Sequence, residues 1–297
     1  MANNIELFKE YIALIDEVYK RASLTAILDG ETDLAQMAQG SYEFKIPKIE
    51  MDGLGDYSRS GGYAEGSVTL DFETKAPNYD RARVFKVNEM DNVETAGLAF
   101  GRLSGEFIRT KAAPELDAFR FAKYAGYAPS GNKAAENLSS GSDWVGALST
   151  AIVTQDDEEV PVEGRYLFIT STGATAINNL DLTTSRAILD RFAGVVVVPQ
   201  PRFYSAISLK AGKVITVDEQ QVDETAGGYA KASAGKDINF LVVTNGCQIQ
   251  YMKNVVNKII DPMTNQDDDQ WKFFYHLYGI CEAYDNKKTG IYLHTKA

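Results

Sequence analysis

The chain has 297 residues, of which 44% are hydrophobic and 24% charged, with a formal net charge of −11. That length can bury an ample core, and the acidity excludes a protein that grips nucleic acid through its phosphates, which needs clustered Lys and Arg. No apolar run nears the roughly 18 residues of a membrane span, and the start lacks a basic and then apolar leader, so an intracellular product is expected.

Residues 4 to 28 place Ile5, Phe8, Ile12, Ile15 and Val18 at spacings of three and four, which predicts a helix. "SYEFKIPKIEM" then alternates through Tyr42, Phe44 and Ile46, and "GSVTLDFETK" alternates through Val68, Leu70 and Phe72. Together they predict a long hairpin whose tip, Asp52 to Glu65, is a flexible loop holding Gly53, Gly55, Gly61 and Gly62. Phe85 and Val87 flank Lys86 in a further short strand. From Val93 to Ala125 the residues Ala96, Phe100, Leu103, Phe107, Leu116 and Phe119 draw one helical stripe, with Asp91 or Asn92 as its N-cap. At about 1.5 Å per residue such a helix is roughly 50 Å long. Pro114 should kink it or split it.

Ala128 to Ser142 reads as a loop, and "SDWVGALSTAIVTQDDEEV" as a helix opened by a Ser-Asp cap. The pattern then turns α/β. "GRYLFITS" is a strand, "TGATAINNL" and "TTSRAILDRF" are helices, and "AGVVVVPQPRFYSAI" is a strand stopped at Pro199. "KVITVDE" is a strand or edge, and "DINFLVVTNG" is a buried strand ending in an Asn-Gly turn. Ile249, Met252, Val255 or Val256 and Ile259 then fall on one face of a predicted helix. After an acidic surface loop, "WKFFYHLYGICEAYDNKKTGIYLHT" closes the chain as a hairpin turning at Asp285 to Lys288.

Little of this carries catalytic chemistry. The two histidines, His276 and His294, lie far from any nucleophile motif and read as structural or solvated strand residues. Cys247 and Cys281 belong to no C-x-x-C pair, so they read as buried free thiols rather than a zinc site. Asp267, Asp268 and Asp269 lack the spacing and glycine of a calcium loop, leaving a solvated charge run. "GGYAKASAGKD" fails as a phosphate loop, since Asp237 stands where Ser or Thr would hold magnesium. No cofactor, metal or catalytic residue is therefore expected.

The order of elements is the stronger signal: a helical arm, a glycine-tipped hairpin, a long helix with an internal proline, a mixed α/β region and a closing β-hairpin. With the local sequences "YDRARVFKVNEMDN", "AFGRLSGEFIRTKAAPELDAFRFAKYA", "VVVVPQPRFYSAI" and "DNKKTGIYLH", this layout resembles the major capsid protein of tailed bacteriophages, with its Hong Kong 97-type shell fold. The resemblance covers nearly the whole chain. It implies an α+β fold with an N-terminal arm (1–40), an extended hairpin loop (41–90), a peripheral domain with a long spine helix (91–144), an axial domain (145–265) and a return to the peripheral domain (266–297).

The resemblance further implies a structural protein rather than an enzyme, joining copies of itself as pentamers and hexamers in the virion shell, assembled in the host bacterial cytoplasm. Its other partners would be a separate scaffolding protein, a portal protein and packaged double-stranded DNA held without sequence reading; no membrane is expected. The hairpin residues Tyr42, Phe44, Ile46, Tyr57, Tyr63, Val68, Leu70 and Phe72 would touch neighbouring subunits, and Pro199, Gln200, Arg202 and Phe203 would mark the axial ring contacts. An isolated two-stranded hairpin is marginal in water, and fixing the tip costs on the order of 15–25 kcal/mol at about 1–2 kcal/mol per residue. The hairpin is thus expected to be mobile before assembly and ordered after it. An encapsulin, a bacterial nanocompartment shell protein, is the nearest alternative; an α/β enzyme using "FITSTGATAINN" and "FLVVTNG" as strand-end loops is the other.

Overall fold

The computed structural model of the chain describes residues 23–29, 36–37, 44–94, 103–180, 182–212, 214–217, 220–223 and 226–297. The helix predicted over residues 4 to 28 lies outside these except for its end, where Ala26–Leu28 forms one 3-10 turn.

The first sheet is the hairpin. β1 (Gln36–Met37) pairs with β2 (Phe44–Met51), and β2 pairs antiparallel with β3 (Val68–Lys75) along its whole length. After Ala76–Asn78 the chain re-enters the body as β4 (Tyr79–Asn88) and turns into α1 (Glu89–Glu94). The cap of that helix is Asn88, whose Oδ1 accepts the Met90 N–H at 2.9 Å; the cap expected at Asp91 or Asn92 falls instead within the helix.

From residue 103 one continuous helix comprises α2 (Leu103–Phe107), a π-helical turn (Ile108–Ala112) and α3 (Ala113–Tyr127). Ala96 and Phe100 of the predicted stripe lie outside the described residues. Pro114 does not split the helix. It sits in the first turn of α3, directly after a π turn in which the Ala113 N–H reaches back to the Ile108 carbonyl. A wider turn accommodates a residue that brings no N–H to the ladder.

Next come β5 (Lys133–Ala135), inside the segment read as a loop, and α4 (Gly141–Asp157). Ser140 and Asp143 cap α4 reciprocally, the Ser140 Oγ accepting the Asp143 N–H and the Asp143 carboxylate accepting the Ser140 N–H. β6 (Arg165–Thr170), α5 (Ser171–Asn178), α6 (Leu182–Leu189) and β7 (Gly194–Val198) follow the α/β reading. Two small ribbons come after them, β8 (Ile207–Leu209) with β11 (Tyr229–Lys231) and β9 (Val214–Val217) with β10 (Gln220–Asp223). The chain ends in β12 (Ile238–Thr244), β13 (Gln248–Ile260), β14 (Gln270–Ala283) and β15 (Ile291–Thr295).

A mixed sheet in the order β5-β15-β12-β6-β7 forms the centre, and a long sheet β13-β14-β4 stands beside it. β12 is buried at every position because both faces of its sheet are covered. On one side Leu241 and Val243 join Phe121 and Tyr124 of α3, and Phe121 lies 5.2 Å from Phe168 and 4.9 Å from Phe203 between ring centroids. On the other, Phe240 and Val242 meet Trp144, Leu148 and Ile152 of α4. Gly173 lets α5 approach: a Cβ there would stand 2.4 Å from the Trp144 ring.

Two expectations are overturned. Gln248–Ile260 is a strand, not a helix, paired with β14 through a bulge between Met252 and Asn254. The closing segment is not a hairpin either: β14 pairs with β13 and β4, while β15 pairs with β12 and β5. A 3-10 turn at Asp285–Gly290 carries the chain from one sheet to the other. The sheets therefore cut across the boundary expected at residue 265.

Candidate assembly surface

The hairpin projects an apolar stripe into solvent. Its register sets Ile49 opposite Leu70, Met51 opposite Val68 and Pro47 opposite Phe72. Ile49, Met51, Val68, Leu70 and Phe72 are each more than half exposed. Contiguous exposed apolar surface is the kind that an interface covers, and covering each side chain would contribute about 1.5–3 kcal/mol. Sequence alternation pairs Phe44 and Ile46 with this set, but the register puts them opposite Lys75 and Glu73. The apolar parity of β2 changes at Pro47, which is why Ile49 and Met51 escaped notice. Tyr42 lies outside the described residues.

At the tip, Ser58 and Gly62 close a small turn by exchanging backbone hydrogen bonds, with Gly62 at φ +79°. Tyr57 and Tyr63 face each other across it at 5.1 Å between ring centroids, and both are exposed, as is Leu54. The base is pinned differently. Asn78 donates its side-chain amide to the Cys281 carbonyl at 2.9 Å and to Glu282 at 2.8 Å, and its Oδ1 accepts the Cys281 N–H at 3.1 Å.

The end of the arm is also pinned, by a seat no sequence pattern announced. Asp117 of α3, fully buried, accepts hydrogen bonds from the Ser23 hydroxyl at 2.6 Å, the Thr25 hydroxyl at 2.8 Å and the Leu24 N–H. The Arg202 guanidinium completes its shell at 3.1 Å. Arg120 reaches Thr25 and Asp29, Gln250 holds the Thr25 carbonyl at 2.8 Å, and Leu28 is buried in the core. A polar segment with one apolar anchor is thereby strapped into the body.

This network corrects the reading of the ring segment. Arg202 and Phe203 are buried within the chain, Arg202 on Asp117 and Phe203 on Phe121, so neither side chain is available to a neighbour. Pro199 and Gln200 are half-buried, and Gln200 donates to the Phe203 carbonyl at 2.9 Å.

The titratable groups serve structure. Burial pushes the thiols of Cys247 and Cys281 up to about 12, which leaves both protonated and inert. His294 is buried with Nδ1 against the Asn239 amide at 3.1 Å, and desolvation lowers its pKa despite the nearby Glu136. Asp156 is held below the usual carboxylate range chiefly by its hydrogen bond from Arg165, with Arg191 assisting. Asp237 accepts from Lys231 at 2.7 Å and lies 3.4 Å from Lys296, which ties down the segment rejected as a phosphate loop.

Asp267 accepts from Lys272 at 3.0 Å. His276 pairs with Asp80 at 2.7 Å beside an open groove on the long sheet, where Ala82, Val84, Lys258 and Phe274 offer no serine or cysteine. Among the described residues no group of three His, Cys, Asp or Glu side chains could hold a metal ion, and no helix is long and apolar enough to cross a membrane.

No protein-family model and no curated protein sequence matches the chain. Its similarity lies in three dimensions. The capsid structure of cyanophage P-SCSP1u superposes with a TM-score of 0.65 at 12% identity, covering 100% of this chain and 97% of that one. A protein in the asymmetric unit of the mature capsid of bacteriophage PhiM1 gives a TM-score of 0.60 at 11% identity, with coverage of 99% and 92%. A virus-like particle from Pyrococcus furiosus is more distant, at a TM-score of 0.52 and 11% identity over 91% of this chain and 97% of that one. The chain shares its α+β fold with these bacteriophage capsid structures.

Proposed function

We propose that the chain is the major capsid protein of a tailed double-stranded DNA bacteriophage, whose copies join as pentamers and hexamers into an icosahedral shell around the genome. The observation that carries this reading is the end-to-end match of the fold to phage capsid structures. The exposed stripe Ile49, Met51, Val68, Leu70 and Phe72 supports it, being a strand pair that its own chain leaves uncovered. In this reading a neighbouring copy covers the hairpin, and the loops of 145–265 make the ring contacts.

The role is mechanical, not catalytic. DNA is enclosed rather than read, in keeping with the net charge of −11. A separate scaffolding protein and a portal would complete assembly in the host cytoplasm, and the product would reside in the virion. The likeness to the Pyrococcus particle supports a nanocompartment shell as a second reading, with a lower TM-score than the phage capsids.

Negative-stain electron microscopy with light scattering on the same fractions tests both. Rings or closed shells are expected, and density inside distinguishes a DNA or scaffold particle from an enzyme-loaded compartment. A monomer at all concentrations, persisting with scaffold and crowding salt, would overturn the shell reading.

A further inference from the structure

We propose that Asn245–Gly246 is a latent deamidation site, masked in the folded chain by the side chain of Gln248. The pair sits in the solvent-exposed turn between β12 and β13, closed by the Cys247 N–H on the Thr244 carbonyl at 3.2 Å, with Gly246 at φ +90°. An asparagine followed by glycine is the sequence most open to this chemistry, because glycine has no Cβ to shield its amide nitrogen. That nitrogen, losing its proton, attacks Cγ of Asn245. The new C–N bond closes a succinimide as the Cγ–Nδ2 bond breaks, and Nδ2 leaves as ammonia with the proton. Water then opens the ring at either carbonyl, giving aspartate or an isoaspartyl link.

Both reacting groups are held out of reach by one residue. The Gly246 N–H donates to Gln248 Oε1 at 3.0 Å, and Gln248 Nε2 donates to Asn245 Oδ1 at 2.8 Å. Gln248 is itself 7% exposed, so its amide has no room to swing away. On the other side, the Asn245 N–H is fixed to the Gly164 carbonyl at 2.8 Å. The nucleophile is tied up as a donor, and the electrophilic amide is locked in orientation.

The mask is continuous with the arm. The same Gln248 Nε2 donates to the Leu28 carbonyl at 3.0 Å, so the strap Ser23–Asp29 holds the guard in place. A chain whose strap has lifted would lose that restraint and become open to conversion. The mark would be permanent, adding a negative charge and, in the isoaspartyl form, one extra main-chain carbon at the β12–β13 turn. This inference stands on the geometry of the single chain and does not depend on the shell reading.

The test is peptide mapping by mass spectrometry of the full chain aged in mildly alkaline buffer, following conversion at Asn245. The native chain should convert several-fold more slowly than the same chain unfolded in guanidinium. The isosteric Gln248→Met variant, with its fold checked by circular dichroism, should convert several-fold faster than native. Gln248→Glu keeps an acceptor for the Gly246 N–H and should fall between them, which decides the matter if the methionine variant fails to fold. Equal rates in native and unfolded chains, or a native rate in a folded Gln248 variant, would overturn the proposal. Leu28→Ala reports on the strap: faster conversion supports the link, and an unchanged rate overturns it.

Discussion

β12 and the β2–β3 hairpin are both strands rich in apolar residues, yet their fates are opposite. Every residue of Ile238–Thr244 is buried between α3 and α4, whereas Ile49, Met51, Val68, Leu70 and Phe72 stand mostly in water. The first is stabilised by its own chain. The second leaves comparable chemistry in water, and in the proposed shell a neighbouring copy would cover it. Apolar content alone therefore says nothing about which chain will bury it.

That contrast can be broken by substitution. Phe240→Ala empties a site covered on both faces and should cost about 3–5 kcal/mol, seen as a lower midpoint in urea unfolding of the isolated subunit. Gly173→Ala should cost about 1–3 kcal/mol by overpacking against Trp144 in the same assay, since its Cβ has only 2.4 Å. Ser140→Ala removes the cap of α4 for about 1 kcal/mol.

Leu70→Asp on the hairpin should leave subunit stability within about 0.5 kcal/mol, yet abolish rings and shells in light scattering. A large loss of subunit stability from that variant would show that the hairpin is covered within its own chain.

Acid sharpens the comparison from another side. His294 is neutral in the fold, its pKa lowered from 6.5 by burial. The unfolded chain gains a proton there first, so this contribution is fully present above pH 6.5 and is lost as pH falls toward the folded value. His294→Gln should flatten the stability profile in that window. The lowered carboxylates Asp143 and Asp156 contribute separately, losing their effect only as pH drops below 3.8 through their folded values.

Much of the body was legible because its signals are local. Within β12, "FLVV" is a continuous apolar run, as suits a strand covered on both faces, and the Ser142-Asp143 pair announced α4, although the capping serine is Ser140, two residues earlier. β13 was misread because its bulge at Met252–Asn254 shifts the alternation midway, so that Ile249 and Met252 mimic helical spacing. The terminal hairpin failed because adjacency in sequence says nothing about a 3-10 turn that moves the chain between sheets. For the surface, Val68, Leu70 and Phe72 were visible, but their partners depended on a register set across the loop. The Asp117 seat was invisible, since it joins Ser23–Asp29 to α3 and Arg202 over long sequence distances.

The short link Ala76–Asn78 between hairpin and body has a mechanical consequence. A tug on the hairpin passes directly into β4, whose ladder with β14 runs from Tyr79 opposite Gly279 to Asn88 opposite Gln270. Force along that strand loads all of those hydrogen bonds in parallel, as shear, instead of peeling them one by one. Asn78, clasped to Cys281 and Glu282, stands at the point where the load arrives. The hairpin is rooted as a cable is anchored, in a sheet that joins an early strand of the chain to two late ones.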